Sequence, residues 1–178
     1  MLAVGHSYGG AIITNAVPRT DNVDGLVYVA AFAPDEGELL IDRVAASKDS
    51  LLTAALKEYQ YPAGPGGQTA TEVIIDPSKF RAVFTADLPQ LQSDVYALSQ
   101  RPIAAAAFSE KNGPAAWKSL PAWAAVGTAD LAAGSDVTRS MAERAGAQIT
   151  EVEGSHVIMI SQPDAVANVI LTALKAVS

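Results

Sequence analysis

The residues with the most chemical promise sit near the two ends of the chain. Ser7 lies in Gly5-His6-Ser7-Tyr8-Gly9, a Gly-x-Ser-x-Gly pattern that puts a hydroxyl on a sharp strand-to-helix turn. A serine hydroxyl is a weak nucleophile at neutral pH. It needs a base within hydrogen-bond reach, and the base needs a carboxylate to orient it. The chain has 2 histidines, so the choice of base is narrow. His6 adjoins Ser7, and on a tight turn a neighbour points its side chain elsewhere; packing or hydrogen bonding beneath the turn is its expected role. His156 follows a late strand in Gly154-Ser155-His156 and is the expected base. Asp130 closes Gly127-Thr128-Ala129-Asp130, after a strand and a Gly-Thr turn, and is the first choice of acid, while the order Ser…Asp…His favours His156 as the base. Asp35 in Pro34-Asp35-Glu36-Gly37 also follows a strand and stays open as an alternative, whereas Asp136 reads as a helix cap. The backbone N–H of Tyr8 is the expected first donor to a developing oxyanion. Such a set performs acyl transfer through a covalent intermediate on Ser7.

A bare Gly-x-Ser-x-Gly match arises by chance in roughly one chain in twenty of this length, so its context decides. Met1-Leu2-Ala3-Val4 reads as a strand before the motif and Ala11–Val17 as a buried helix after it. Gly25–Phe32 is an unbroken apolar run, as expected of a strand covered on both faces of a parallel sheet. Trp123–Val126 and Gln148–Val152 read as two further strands, separated by a helix from Ser135 to Ala145 that Gly146 ends. Pro163 opens a last helix with Val166, Val169, Ile170, Ala173 and Leu174 on one face. Between the second and third strands, from about 38 to 117, the spacing predicts helices and breakers: mostly helix over Leu39–Tyr59, a loop at Pro62–Gly67, a capped start at Asp76-Pro77 and a helix over Pro89–Gln100. The expectation is a single α/β domain over 1–178, with a mostly parallel four-stranded sheet and a helical cap insertion at about 38–117. In such sheets sites gather at the carboxyl ends of the strands, where Ser7, Asp130 and His156 all fall.

Composition narrows the remaining possibilities. The chain has 178 residues, 49% of them hydrophobic, which is enough for a packed core. Net charge is −7, without the clustered Lys and Arg of a nucleic-acid surface. With no cysteine, disulfides and thiolate chemistry are excluded. The sequence holds neither a phosphate-binding Gly-x-x-x-x-Gly-Lys nor a His-Glu-x-x-His, so no cofactor and no metal are expected. No stretch approaches the ~20 apolar residues of a membrane span. The expected setting is cytoplasmic, with a small-molecule substrate and neither nucleic acid nor membrane as partner. Trp117 and Trp123 read as packing residues.

The chain resembles α/β-hydrolases of the small esterase and hydroxynitrile-lyase-like group. The resemblance rests on Gly5-His6-Ser7-Tyr8-Gly9-Gly10, Tyr28–Pro34, Gly127-Thr128-Ala129-Asp130 and Gly154-Ser155-His156 running on to Pro163. It implies Ser7 as nucleophile, Asp130 as acid, His156 as base and the block from Glu38 to Trp117 as a cap over the pocket. It also implies earlier βα units before Ser7, at ~30 residues each, so on the order of 80 residues are expected to be missing through truncation. With them would go the second oxyanion donor, and the nucleophile strand would become an edge prone to self-association. The expected function is hydrolysis of a small carboxylic ester; the alternatives are lyase chemistry, for which Lys48, Lys57, Lys79 or Arg81 could supply a cation, and an inactive fragment or association module.

Overall fold

The computed structural model describes all 178 residues. In chain order, β1 (Leu2–His6) leads through Ser7 into α1 (Tyr8–Ala16), and β2 (Gly25–Val29) follows. The long intervening segment contains α2 (Leu40–Ala45), α3 (Leu52–Ala55), β3 (Leu56–Pro62), β4 (Thr69–Ile75), α4 (Pro77–Phe84), α5 (Gln90–Ser99), β5 (Ile103–Ala104) and α6 (Ala106–Ser109). The βα rhythm then resumes with β6 (Ala122–Gly127), α7 (Ser135–Arg144), β7 (Gln148–Val152), α8 (Ile158–Ser161) and α9 (Pro163–Ala176).

The main sheet has the order β1-β2-β6-β7, with all three pairings parallel. Every residue of β2 and of β6 is buried, which is why neither shows apolar–polar alternation. Side chains from the two faces of β2 enter two cores. Leu26 and Tyr28 pack with Ala11, Phe32 and Met141, while Val27 and Val29 pack with Val166, Val169 and Ala173 of α9. Fully burying one such aliphatic side chain contributes about 1.5–3 kcal/mol. The α9 face matches expectation at Val166, Val169 and Ala173, but Leu174 is 45% exposed and points away from the core. β1 lies at one edge of the sheet, and Val4 on it is exposed. No helix is long and apolar enough to cross a membrane.

The intervening segment contains the expected helices and also a second, antiparallel sheet of order β3-β4-β5. Helix over Leu39–Tyr59 is therefore corrected: it breaks into α2 and α3, and residues from Leu56 onward are strand. Gly66 and Gly67, at φ 75° and 79°, turn the chain between β3 and β4. The strand was hard to read because β3 is exposed along most of its length, leaving no apolar alternation. The Asp76 cap is present, its carboxylate accepting from Ser78 N at 2.9 Å. Asp136 lies inside α7 rather than before it. Its carboxylate accepts from Val137 N at 2.9 Å, and also from Ser47 Oγ at 2.5 Å and Lys48 N at 2.8 Å, tying the intervening segment to the main layer. Trp117 and Trp123 each use the indole N–H structurally, donating to Pro34 O at 3.0 Å and Gln148 Oε1 at 3.1 Å.

The steric demand around the first turn falls on two glycines. A Cβ on Gly5 would meet Gly9 O at 2.5 Å, and one on Gly10 would meet Phe32 O at 2.2 Å, whereas one on Gly9 would meet nothing within 4 Å. Gly10 thus lets α1 sit against the end of β2. Gly10→Ala is expected to lower stability by about 2–3 kcal/mol, read as a fall in the urea midpoint, while Gly9→Ala, in open space within α1, raises stability by up to about 1 kcal/mol. Equal effects at the two positions would contradict this packing.

Candidate active site

Ser7 occupies the turn between β1 and α1 with φ 53° and ψ −123°, a conformation rarely held by a residue with a side chain. The neighbouring backbone holds it there. Ser7 N donates to Val29 O at 3.3 Å, and Ser7 O accepts from Gly10 N at 3.0 Å and Phe32 N at 3.2 Å. Tyr8 is the first residue of α1, so its N–H has no partner within the helix and belongs to the helix's positive end.

At the carboxyl end of β6, Asp130 is fully buried. One carboxylate oxygen accepts from Ala132 N at 2.9 Å and Ala133 N at 3.0 Å. The other accepts from His156 Nδ1 at 2.8 Å. A carboxylate can only accept, so the imidazole carries its proton on Nδ1 and leaves Nε2 as an acceptor. The partnership is secured by the loops that carry it. Ser135 Oγ donates to Gly127 O at 2.7 Å, and Asp130 N donates to Ser135 Oγ at 3.0 Å. Thr128 N and Ala129 N reach Val152 O and Gly154 O, both at 3.0 Å, clasping the ends of β6 and β7 together.

Asp35, the alternative acid, is elsewhere. It bonds to Lys118 Nζ at 2.5 Å, and that ammonium group holds its carboxyl below the usual carboxylate range. Ser7, Tyr8 and His156 line one cavity of about 500 Å³, which Asp35 does not reach. Ser7 Oγ and the imidazole share this cavity without a hydrogen bond between them; such bonds are often long before substrate binds. The rest of the lining comes largely from the intervening segment, including Phe80, Phe84, Tyr96 and Ile103. Of 24 lining residues 17 are hydrophobic, and Arg101 is the sole Lys, Arg, Asp or Glu among them. Lys48, Lys57, Lys79 and Arg81 do not line it. Lys57 instead pairs with Asp76 at 3.2 Å, and Lys79 donates to Ala54 O at 2.6 Å.

Sequence reasoning missed Phe84, whose ring meets the His156 imidazole edgewise at 4.6 Å. No spacing signals a contact between segments so far apart in the chain. His6 lies beneath the turn as expected, and its partner is informative: Nε2 donates to His156 O at 2.9 Å, with the two imidazoles 4.7 Å apart. Burial, and the neighbouring His156, push the His6 imidazole from 6.5 down to about 4. Between these values the unfolded chain binds a proton that the folded chain refuses, so stability is complete above about 6.5 and declines as pH falls towards about 4. The full contribution is on the order of 3 kcal/mol. His6→Gln keeps an N–H for His156 O but removes the titration. Its denaturant midpoint is expected to fall less steeply than that of the parent between these pH values, and identical slopes would contradict the assignment.

Comparison with known proteins follows the same outline. No curated protein matches the sequence. The fold is similar to that of polyneuridine aldehyde esterase, with a TM-score of 0.74 at 18% identity, covering 97% of this chain and 71% of that one. It is also similar to the methylesterase protein MES16 from Arabidopsis, with a TM-score of 0.76 at 21% identity over 98% and 69% of the two chains. The pyrethroid hydrolase PytH gives 0.74 at 20% identity over 99% and 70%. Residues 2–169 match the model described as the alpha/beta hydrolase family. Matched from its second residue into its last helix, the chain belongs to the alpha/beta hydrolase family.

Proposed function

We propose that the chain is a serine hydrolase that cleaves small apolar carboxylic esters, with Ser7 as nucleophile, His156 as base and Asp130 as the acid that orients it. The observation that carries this reading is the buried Asp130–His156 hydrogen bond, at 2.8 Å, opening onto the same cavity as a serine held in strained backbone. The three similar folds named above include an esterase, a methylesterase and a hydrolase, which supports the same class.

In this mechanism Ser7 Oγ attacks the ester carbonyl carbon while its proton passes to His156 Nε2. The resulting imidazolium is stabilised by Asp130, which stays ionised. The carbonyl oxygen takes up the negative charge and accepts from the N–H of Tyr8 at the N-terminus of α1. Collapse breaks the bond to the alcohol, and His156 returns the proton to it. Water then repeats the sequence on the acyl-Ser7 ester, releasing the carboxylic acid and restoring the serine. The segment between β2 and β6 acts as a cap: its aromatic and aliphatic side chains exclude water and favour neutral, apolar acyl and alcohol groups.

Lyase chemistry from the same residues would need a cation beside the leaving group. The four cap residues expected to supply one lie outside the cavity lining, and Arg101 is the one cap cation that lines it, so Arg101 is the residue on which a lyase reading would depend. The exposed Val4 on the edge strand β1 supports self-association between copies of the chain.

Short-chain p-nitrophenyl esters test the assignment. Ser7→Ala and His156→Ala are expected to lower kcat by at least about 10³-fold, and Asp130→Asn by about 10⁴-fold through the wrong imidazole tautomer. A neutral butyrate ester should be preferred over its carboxylate-bearing counterpart in kcat/KM. Turnover that survives in Ser7→Ala, or cyanohydrin cleavage faster than ester hydrolysis, would overturn the proposal.

A further inference from the structure

The turn that carries His156 is held at three consecutive residues by three different partners. Gly154 O accepts from Ala129 N at 3.0 Å, and His156 O accepts from His6 Nε2 at 2.9 Å. His6 ends β1 and Ala129 follows β6, so both partners belong to the main sheet layer. The middle residue, Ser155, is held by the intervening segment. Its N–H donates to Asp87 Oδ2 at 2.9 Å, and its hydroxyl to Asp87 Oδ1. The hydroxyl also lies 3.2 Å from Phe84 O, but it has one proton and the closer carboxylate takes it. Asp87 follows α4 in the intervening segment, 68 residues from Ser155 in sequence.

Further features show that this contact is close and specific. Ser155 and His156 are each 1% exposed, so an unpaired Ser155 N–H would be costly. Gly154 has no Cβ, and one placed there would sit 2.7 Å from Asp87 Oδ2, so the carboxylate rests directly on the loop. Asp87 takes part in no ion pair. Burial pushes its carboxyl up, and hydrogen bonds led by the Ser155 hydroxyl outweigh this, keeping it below its usual range and ionised near neutral pH. On the same stretch of chain, Phe84 packs its ring against the imidazole.

We propose that Asp87 is a positioning residue for His156: seated on Ser155, it holds the imidazole in place from the cap side, so the base is aligned only while the segment joining α4 and α5 rests on the loop. The inference depends on His156 being the base of the proposed reaction. Asp87 touches no reacting atom and acts on His156 through Ser155.

The test compares the parent chain with Asp87→Asn, Asp87→Ala and Ser155→Ala, measuring p-nitrophenyl ester kinetics, urea midpoints and the proton resonance of His156 Nδ1–H. With 2 histidines in the chain, His6→Gln leaves a single imidazole and assigns that resonance. Asp87→Asn is expected to lower kcat about 10- to 100-fold with KM nearly unchanged, and to broaden the resonance through faster exchange while the urea midpoint stays close to the parent value. Ser155→Ala keeps the backbone bond and should fall between the two. Unchanged kcat and an unchanged resonance would overturn the inference, as would losses that merely track the urea midpoint. If Asp87→Ala fails to fold, Asp87→Asn and Ser155→Ala decide. The resonance is readable whether or not the parent chain turns over ester: an inactive parent with a resonance that depends on Asp87 sinks the hydrolase reading and leaves the contact standing.

Discussion

Burying the Asp130 carboxylate is the constraint around which the site is organised. A fully buried carboxylate is expensive unless its lone pairs are all engaged. Here two backbone N–H groups after β6 and one imidazole N–H after β7 engage them. That requirement fixes the ends of β6 and β7 side by side, and the parallel register between Gly127 and Val152 provides it. It also fixes the imidazole tautomer, because the proton must lie on Nδ1. Removing either partner leaves the other unsatisfied in a buried site, so the geometry that the proposed chemistry needs also serves folding.

The opposite side of the site is set by backbone strain. Ser7 holds a positive φ because β1, α1 and β2 leave no other path. The packing of α1 against the end of β2 allows it, and Gly10 is what lets the two approach. His6 links the two halves. It precedes the strained serine, hydrogen-bonds the backbone of His156, and remains neutral through the pH range in which a base would work. The turn that presents the hydroxyl and the loop that presents the imidazole are thus joined by one side chain from the motif itself.

Much of this was legible in the sequence, for identifiable reasons. β2 and β6 are buried on both faces, so their apolar runs stood out. Glycine and small residues punctuated the turns after β1 and β6, and Ser7, Asp130 and His156 each followed a readable strand. Asp35 looked like an alternative only because it too follows a strand; its ion pair with Lys118 is a surface contact that spacing cannot reveal. The β3–β4 hairpin escaped because its first strand is largely exposed and has no apolar rhythm. The seating of Phe84 and Asp87 on the His156 loop escaped for a different reason. It joins two segments far apart in the chain, and a Phe–Asp stretch before Leu88-Pro89 looks like any turn after a helix. Local patterns reflect local structure, whereas these contacts arise only when distant segments pack together.

The claim on which this account rests is that Ser7 becomes covalently acylated. Reaction of the folded chain with a fluorophosphonate, followed by proteolysis and mass spectrometry, tests it directly. The account predicts one adduct per chain, mapped to Ser7, forming more slowly when His156 is replaced. No adduct, or an adduct on another residue such as Ser155, would contradict it.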